Sequence, residues 1–464
     1  MDAPTPDATT APLTETLTET LTETLTETLT FPPGFRWGVA TASYQYEGHC
    51  ENSQWRAWEK AGRIRNGDVA GDACDWRLHA ERDFDRAQRM GLNALRLSLE
   101  WSRLEPRPNA WDGAAFARYR EMLQGLRERG IEPMVTLHHF SNPLWFEEKG
   151  AFLAPDAVPV FTRFVTRAVE ELGDLCDLWC TINEPNVYSV VGYLLGVWPP
   201  GHRDARAAFR TQGTLARAHA AAYRAIHQRQ PAARVGWAQN FNILDPATTS
   251  PLDRLVAGVQ DAAYNDFFPR AVLTGHAAFP FILFAGDLRP VRGTCDFLGV
   301  NIYYRERVAF DPRHPGELFG RRFVPPDAPR GDSDASEFFG EVYPEGILRV
   351  AERLRVFGKP IYVTEHGVAD RDDQIRPWVV EQGVRAVHAA LQRGLDMRGY
   401  YHWSLVDNFE WAEGWKSRFG LVALDVATQQ RTERPSAAFY SAIARANALT
   451  PEMVQQYVSS GPTR

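Results

Sequence analysis

Cysteine is scarce in this chain, with five residues among 464, and the five make no spaced framework. Cys50, Cys74, Cys176, Cys180 and Cys295 are odd in number and scattered, which argues against a disulfide scaffold; Cys176 and Cys180 lack the spacing and the second ligand pair of a metal site. Buried free thiols in a reducing compartment are expected, and with them a cytoplasmic location. No apolar run approaches the roughly eighteen residues of a membrane span. No basic segment followed by an apolar one opens the chain, so no export signal is expected either. A glycine-rich phosphate loop is missing too: neither GxGxxG nor GxxxxGK[ST] occurs, which argues against a doubly wound nucleotide-binding protein. Positive charge is absent from residues 1–30, which hold Asp2, Asp7, Glu15, Glu19, Glu23 and Glu27; six of the seven net negative charges therefore lie in that tail, leaving 51 basic against 52 acidic residues elsewhere. Lys and Arg do not cluster as a nucleic-acid surface requires, so a neutral ligand is expected.

The same tail carries a tandem LTET repeat from Leu13 to Thr28. Threonine is a mediocre helix former and leucines at every fourth residue drift around a helix, so residues 1–30 are expected to be a disordered acidic tail, with 31–464 the catalytic domain. Apolar residues make up 44% and charged ones 23%, an ordinary globular mix, whereas 14 Trp is a high count and suits platforms for apolar sugar faces.

From Phe31 onward, short β-rich segments alternate with longer amphipathic ones, the pattern of a parallel sheet with crossover helices. Eight strands are predicted, at 35–43, 94–101, 132–139, 178–184, 234–242, 297–304, 360–365 and 398–405. Helices are predicted at 79–90, 114–129, 156–172, 215–228, 343–356 and 374–393. Eight such units predict an α/β fold, a single (β/α)8 TIM barrel with elaborated βα loops, whose active site would form at the C-terminal strand ends. Polar and aromatic residues crowd those ends: Gln45 and Glu47, Glu100 and Trp101, His138 and His139, Asn183 and Glu184, Asn240 and Asn242, Asn301 and Tyr303, Glu365 and His366, Trp403 and Asp407.

Two runs carry the chemistry. Thr181-Ile182-Asn183-Glu184-Pro185 ends the fourth predicted strand and Val363-Thr364-Glu365-His366-Gly367 the seventh, so two glutamates can face each other across the mouth of the ring. Cleavage of an acetal needs one carboxyl group to donate a proton while another attacks, and in retaining enzymes the two stand about 5–5.5 Å apart. Either glutamate alone would be an ordinary strand-end residue; as a pair they predict a retaining glycoside hydrolase.

Together with FRWGVATASYQYEG at 35–48, NIYY at 301–304 and YHWSLVDNFEWAEG at 401–414, these two runs resemble family 1 glycoside hydrolases, the β-glucosidase family, over about 31–446. The resemblance implies Glu184 as general acid/base, Glu365 as nucleophile and Arg96 as the cation beside that nucleophile. It further implies sugar-binding roles for Gln45, His139, Asn183, Tyr303, Trp403, Glu410 and Trp411, with Asn183 at the 2-hydroxyl and Trp403 as platform. No metal or organic cofactor is implied. The expected partner is a small β-glycoside or oligosaccharide, and the oligomeric state is left open. The activity implied is that of an exo-acting β-glucosidase with β-fucosidase or β-galactosidase side activity. A transglycosylase using the same intermediate and a non-catalytic sugar-binding barrel are the alternatives. Glu410 would repel a phosphate dianion, so an unphosphorylated sugar is expected although Lys416 and Arg418 lie nearby in sequence. The chain departs from the family pattern in three places: Phe140 where Trp is usual, His366 where Asn is common, and Phe339-Gly340-Glu341 where GWE forms the leaving-group wall. That wall is expected to be wider or built from Phe338 and Phe339, and His366 either tunes Glu365, contacts the leaving group or packs passively.

Overall fold

A computed structural model describes residues 25–332 and 340–458. Eight parallel strands close on themselves: β1 (Arg36–Ala40), β2 (Ala94–Ser98), β3 (Glu132–His138), β4 (Leu178–Asn183), β5 (Arg234–Pro246), β6 (Phe297–Phe310), β7 (Ile361–His366) and β8 (Met397–Trp403). Each pairs in parallel with the next, and β8 pairs with β1 through Gly399↔Arg36 to Trp403↔Ala40, which closes the barrel. The expected (β/α)8 barrel is therefore the observed fold.

The strands form where the sequence is apolar on both faces, because a barrel strand contacts the packed interior on one side and helices on the other. In β2, Ala94-Leu95-Arg96-Leu97-Ser98 is buried throughout. The helices show the complementary pattern of one apolar stripe: 157–172 buries Val160, Phe161, Phe164, Val165, Ala168, Val169 and Leu172. Helix 113–128 is started by Asp112, whose carboxylate accepts from the backbone N–H groups of Ala114 and Ala115.

The two ends of the barrel differ in kind. At the strand starts, Glu132 takes bonds from Arg36 and Arg234, and Arg234 reaches Asp177 at 2.9 Å, an ion-pair ring that ties β1, β3, β5 and the entry to β4. Leu29–Thr30 pairs antiparallel with Ala448–Leu449, and Asn447 accepts from the Trp37 indole at 2.9 Å, bracing the same end with Phe31 edge-on and Phe35 tilted against Trp37. The folded body thus includes residues assigned above to the tail, Leu25 being buried as well; residues 1–24 lie outside the described part. Beyond the opposite end, β5 and β6 run longer than expected and continue as a ribbon, joined antiparallel by Gly320–Phe323 and Glu341–Val342. The five cysteines are buried and free.

Candidate active site

A cavity of about 890 Å³ opens at the C-terminal strand ends, and Glu184 and Glu365 both line it. How they come to share it follows from backbone geometry. Successive residues of an extended strand point to opposite faces, which would send Glu184 outward if Asn183 points in. Instead Glu184 adopts φ 43° and ψ 62°, a left-handed conformation that re-aims its side chain just before Pro185 opens a short helix. Non-glycine residues are strained there by about 1–3 kcal/mol, so surrounding contacts must hold the position. They do: Glu184 N–H donates to the Ala238 carbonyl at 2.7 Å, and its Oε1 accepts from Asn240 Nδ2 at 3.0 Å and Asn301 Nδ2 at 2.7 Å.

Glu365 sits at the irregular end of β7, where the register with both neighbouring strands shifts. Its Oε1 accepts from Arg96 Nη1, and its Oε2 accepts from the Tyr303 hydroxyl at 2.7 Å. Arg96 is wholly buried at the end of its own hydrogen-bond set: Nε donates to Thr136 Oγ1 at 3.0 Å and Nη2 to Asn183 Oδ1 at 2.6 Å. Asn301 links the two corners, donating through Nδ2 to Asn183 Oδ1 and to Glu184 Oε1, while its own Oδ1 accepts from Thr364 Oγ1 at 2.6 Å.

The electrostatic consequence is asymmetric. Burial raises the Glu184 pKa to about 8, with the charge on Glu365 as the second cause and the two amides opposing. Burial also raises Glu365, but the Arg96 guanidinium and the Tyr303 hydroxyl pull it back down. The cation beside Glu365 favours its anion, and a charge there in turn favours the proton on Glu184.

The sugar-binding residues expected from sequence converge on one flank of this cavity. His139, Trp403, Glu410 and Trp411 line it, with Tyr303 beside Glu365. Gln45 stands behind: its Nε2 donates to Glu410 Oε2 at 3.0 Å and to the Phe409 carbonyl at 2.8 Å, while its buried Oε1 has no partner among the described residues. Asn183 Nδ2 meets His139 Nε2 at 3.0 Å, which makes Nε2 an acceptor and puts the ring proton on Nδ1, itself buried without a partner. Unsatisfied buried polar atoms are costly. Glu410 is raised to about 8, by burial first and then by Glu365. Trp411 is wedged among Trp55, Trp198 and Phe140, with ring centroids 4.9, 5.8 and 5.2 Å away.

Other strand-end residues singled out by sequence point elsewhere, as alternation requires. His138 turns to Asn142 and Phe152, and Asp407 clamps Arg434 at 2.9 and 3.0 Å. Glu47 is bound by Arg103 and Tyr119, and Glu100 by three serines, Ser43, Ser102 and Ser141. His366 faces the outer helix: Nδ1 meets the Tyr400 hydroxyl at 2.8 Å, and a Cβ on Gly383 would lie 2.6 Å from its ring. Of the three readings of His366, passive packing is the one its position supports. Arg418 lies over the Trp415 ring and 4.0 Å from Asp407. Phe338 and Phe339 fall outside the described residues.

Sequence reasoning missed the hydroxyls of Thr136 and Thr364, which fix Arg96 and Asn301, and it missed Tyr264, which donates to Asn240 Oδ1 at 2.9 Å. Thr364 lies inside the run already singled out, so a hydroxyl at a barrel strand end was the available signal.

Comparison with known proteins agrees with this geometry. The model of "Glycosyl hydrolase family 1" matches residues 27–449. Beta-glucosidase A of Thermotoga maritima is 32% identical over 449 residues, covering 90% of this chain and 98% of that protein. A beta-galactosidase of Saccharolobus solfataricus is 30% identical, covering 93% and 98%. Among solved structures, a beta-glycosidase from Pyrococcus horikoshii superposes with a TM-score of 0.84 at 36% identity, over 94% of this chain and 99% of that one.

Proposed function

This chain belongs to glycosyl hydrolase family 1, and from that membership we propose that it is a retaining, exo-acting β-glycosidase that removes one terminal sugar, β-glucose first, with β-fucosides and β-galactosides as slower substrates. The observation that carries the reading is the pair of carboxyl groups in one cavity with opposed surroundings. Glu184, protonated below about pH 8, gives its proton to the glycosidic oxygen as the bond from C1 to that oxygen breaks. Glu365, held ionised by Arg96, attacks C1 from the opposite side and forms a glycosyl ester. Water then attacks C1, gives a proton to the Glu184 carboxylate and releases Glu365, so the two inversions retain configuration.

The flank lined by His139, Glu410 and Trp411, with Gln45 and Asn183 hydrogen-bonded behind it, supports hydroxyl recognition, and the Trp403 indole suits the C–H face of the ring. A hydroxyl at C2 within reach of Asn183 would strengthen its hydrogen bond in the transition state. The same flank contains no cation to balance a phosphate against Glu410 among the residues that line it, which supports unphosphorylated sugars. Partners are thus small β-glycosides; no helix among the described residues is long and apolar enough to cross a membrane.

A 2-deoxy-2-fluoro glucoside with a good leaving group tests the proposal. It should inactivate the protein and label the peptide that contains Glu365; labelling on another residue, or NMR detection of the inverted anomer as first product, would refute it.

A further inference from the structure

The two carboxyl oxygens of Glu184 have different surroundings. Oε1 accepts from two amides, Asn240 Nδ2 at 3.0 Å and Asn301 Nδ2 at 2.7 Å, whereas Oε2 has no hydrogen-bond partner among the described residues. A proton on Oε1 would meet two N–H groups already pointing at that oxygen, so it is confined to Oε2, the oxygen left free for a glycosidic oxygen in the cavity that Glu184 lines. That holds only while both amides keep nitrogen, and not oxygen, toward the carboxyl group.

The Asn240 amide has its own fixing group. Its Oδ1 accepts from the Tyr264 hydroxyl at 2.9 Å, and Tyr264 sits in an unusual piece of backbone: the helix Pro251–Asp261 widens into one π-turn, Ala262–Asp266, before a second helix begins at Phe267. A wider turn reduces the angle between successive side chains, and two consecutive ones, Tyr264 and Asn265, both reach β5. Asn265 Oδ1 accepts from Asn242 N–H at 3.1 Å and its Nδ2 donates to the Asn242 carbonyl at 2.7 Å, which docks the turn on the strand. Asn186, just past Glu184 in the chain, donates to the carbonyls of both Asn240 and Tyr264, at 2.9 and 3.2 Å. The Arg322 guanidinium covers the Tyr264 ring at 5.6 Å. Burial and then the Glu184 charge push the phenol well above its ordinary pKa, so it keeps the proton it donates.

Resting on the glycosidase reading, we infer that Tyr264 is a positioning residue for the acid: its hydroxyl holds the Asn240 amide as a donor and thereby keeps the Glu184 proton on Oε2. With the amide reversed, Asn240 Oδ1 would face Glu184 Oε1 and accept a proton placed there, which points the acid away from the bond to be broken and leaves its anion short of one of two donors. Reversal is disfavoured because Tyr264 would then have to accept from Asn240 Nδ2, and its own proton would have no acceptor among the described residues. The other charges and phenols that face Glu184, namely Glu365, Glu410, Arg96 and Tyr303, are untouched by loss of the Tyr264 hydroxyl.

The test compares kcat/KM against pH for the parent, Tyr264→Phe, Asn240→Ala and the double variant. One substrate is phenyl β-D-glucoside, whose leaving group needs the proton, and the other is a dinitrophenyl β-D-glucoside, whose leaving group does not. Tyr264→Phe should lose about fivefold on the phenyl substrate, in line with one hydrogen bond, and less than about twofold on the dinitrophenyl one. Its alkaline limb on the phenyl substrate should move upward, because a donor to the Glu184 anion is weakened. Asn240→Ala should lose at least as much, and adding Tyr264→Phe to it should cost nothing further. Equal losses on both substrates, an unmoved limb, or losses that multiply in the double variant would overturn the inference, give the hydroxyl a packing role only and leave the glycosidase reading standing. If Glu184→Gln, run beside them, kept the parent's rate on the phenyl substrate, the acid assignment and the inference would fall together.

Discussion

Glu184 and Glu365 are the same residue type at the ends of parallel strands four and seven, yet their corners are built from opposite materials. Two carboxamides and a left-handed backbone hold Glu184, whereas a buried guanidinium and a phenol hold Glu365. Neutral donors hydrogen-bond to either protonation state of a carboxyl group, so they orient Glu184 without forcing it to ionise; a guanidinium wholly enclosed by protein demands a counter-charge. On the proposed mechanism, the difference teaches that division of labour between acid and nucleophile is set by partners rather than by residue type or by depth, since both carboxyls are buried.

The most severe way to break the comparison is Glu365→Gln. Turnover should fall by at least about 10⁴-fold, because no other group can form the covalent intermediate. Stability should fall as well, by about 3 kcal/mol, because Arg96 is left as a buried charge without its partner. The paired substitution Glu184→Gln removes no counter-charge and replaces a carboxyl group that is already neutral below about pH 8, so its thermal midpoint should stay close to that of the parent. Thermal unfolding of both variants side by side checks this, and equal destabilisation would show the two corners to be alike.

On activity, Glu184→Gln should cost about 10²–10⁴-fold with poor leaving groups and much less with a dinitrophenolate, which needs no proton. The same residue fixes the alkaline limb of the rate profile. Its carboxyl must be protonated to act and its pKa is raised to about 8, so kcat/KM should hold below that pH and fall tenfold per unit above it. In Glu184→Gln that limb should vanish, measured on the residual activity toward a glucoside whose leaving group needs the proton. A limb that persists near pH 8 would place the titration elsewhere, Glu410 being the other group raised to about 8.

How much of this was readable from sequence depends on whether a feature is local. The eight strands were legible because each is a short apolar run bounded by turn residues, and their starts agree with the observed ones within about two residues. The ribbon that prolongs β5 and β6 was not, because Ile243–Pro246 and Arg305–Phe310 mix charged residues and proline into the run and gain their pairing from each other and from Gly320–Phe323. In the site, the glutamate pair was legible through its motifs. That His366 turns away while Glu365 turns inward is a matter of strand phase at an irregular register, which adjacent letters do not disclose. The Val190–Leu195 segment reads as a core helix; only the tertiary structure leaves its face open to a cavity.

The smallest effect sharpens the comparison most, since it concerns the group that joins the two corners. Asn301 can serve Glu184 and Asn183 only with its amide nitrogen turned toward both oxygens, and an amide flipped by 180° would set its own oxygen against two acceptors. What selects the productive orientation is Thr364, whose hydroxyl donates to Asn301 Oδ1 at 2.6 Å from the strand that carries Glu365. Thr364→Val keeps shape and burial but deletes that donor, a loss of about 1 kcal/mol. A fraction of molecules then carries Asn301 reversed, with Glu184 short of one of its two amide bonds. Those bonds hold Glu184 pKa down against burial, so kcat should fall about fivefold while the alkaline limb moves upward, and KM should change little because Asn301 is wholly buried. A threonine hydroxyl with only a packing role would shift the thermal midpoint and leave the position of that limb where it was.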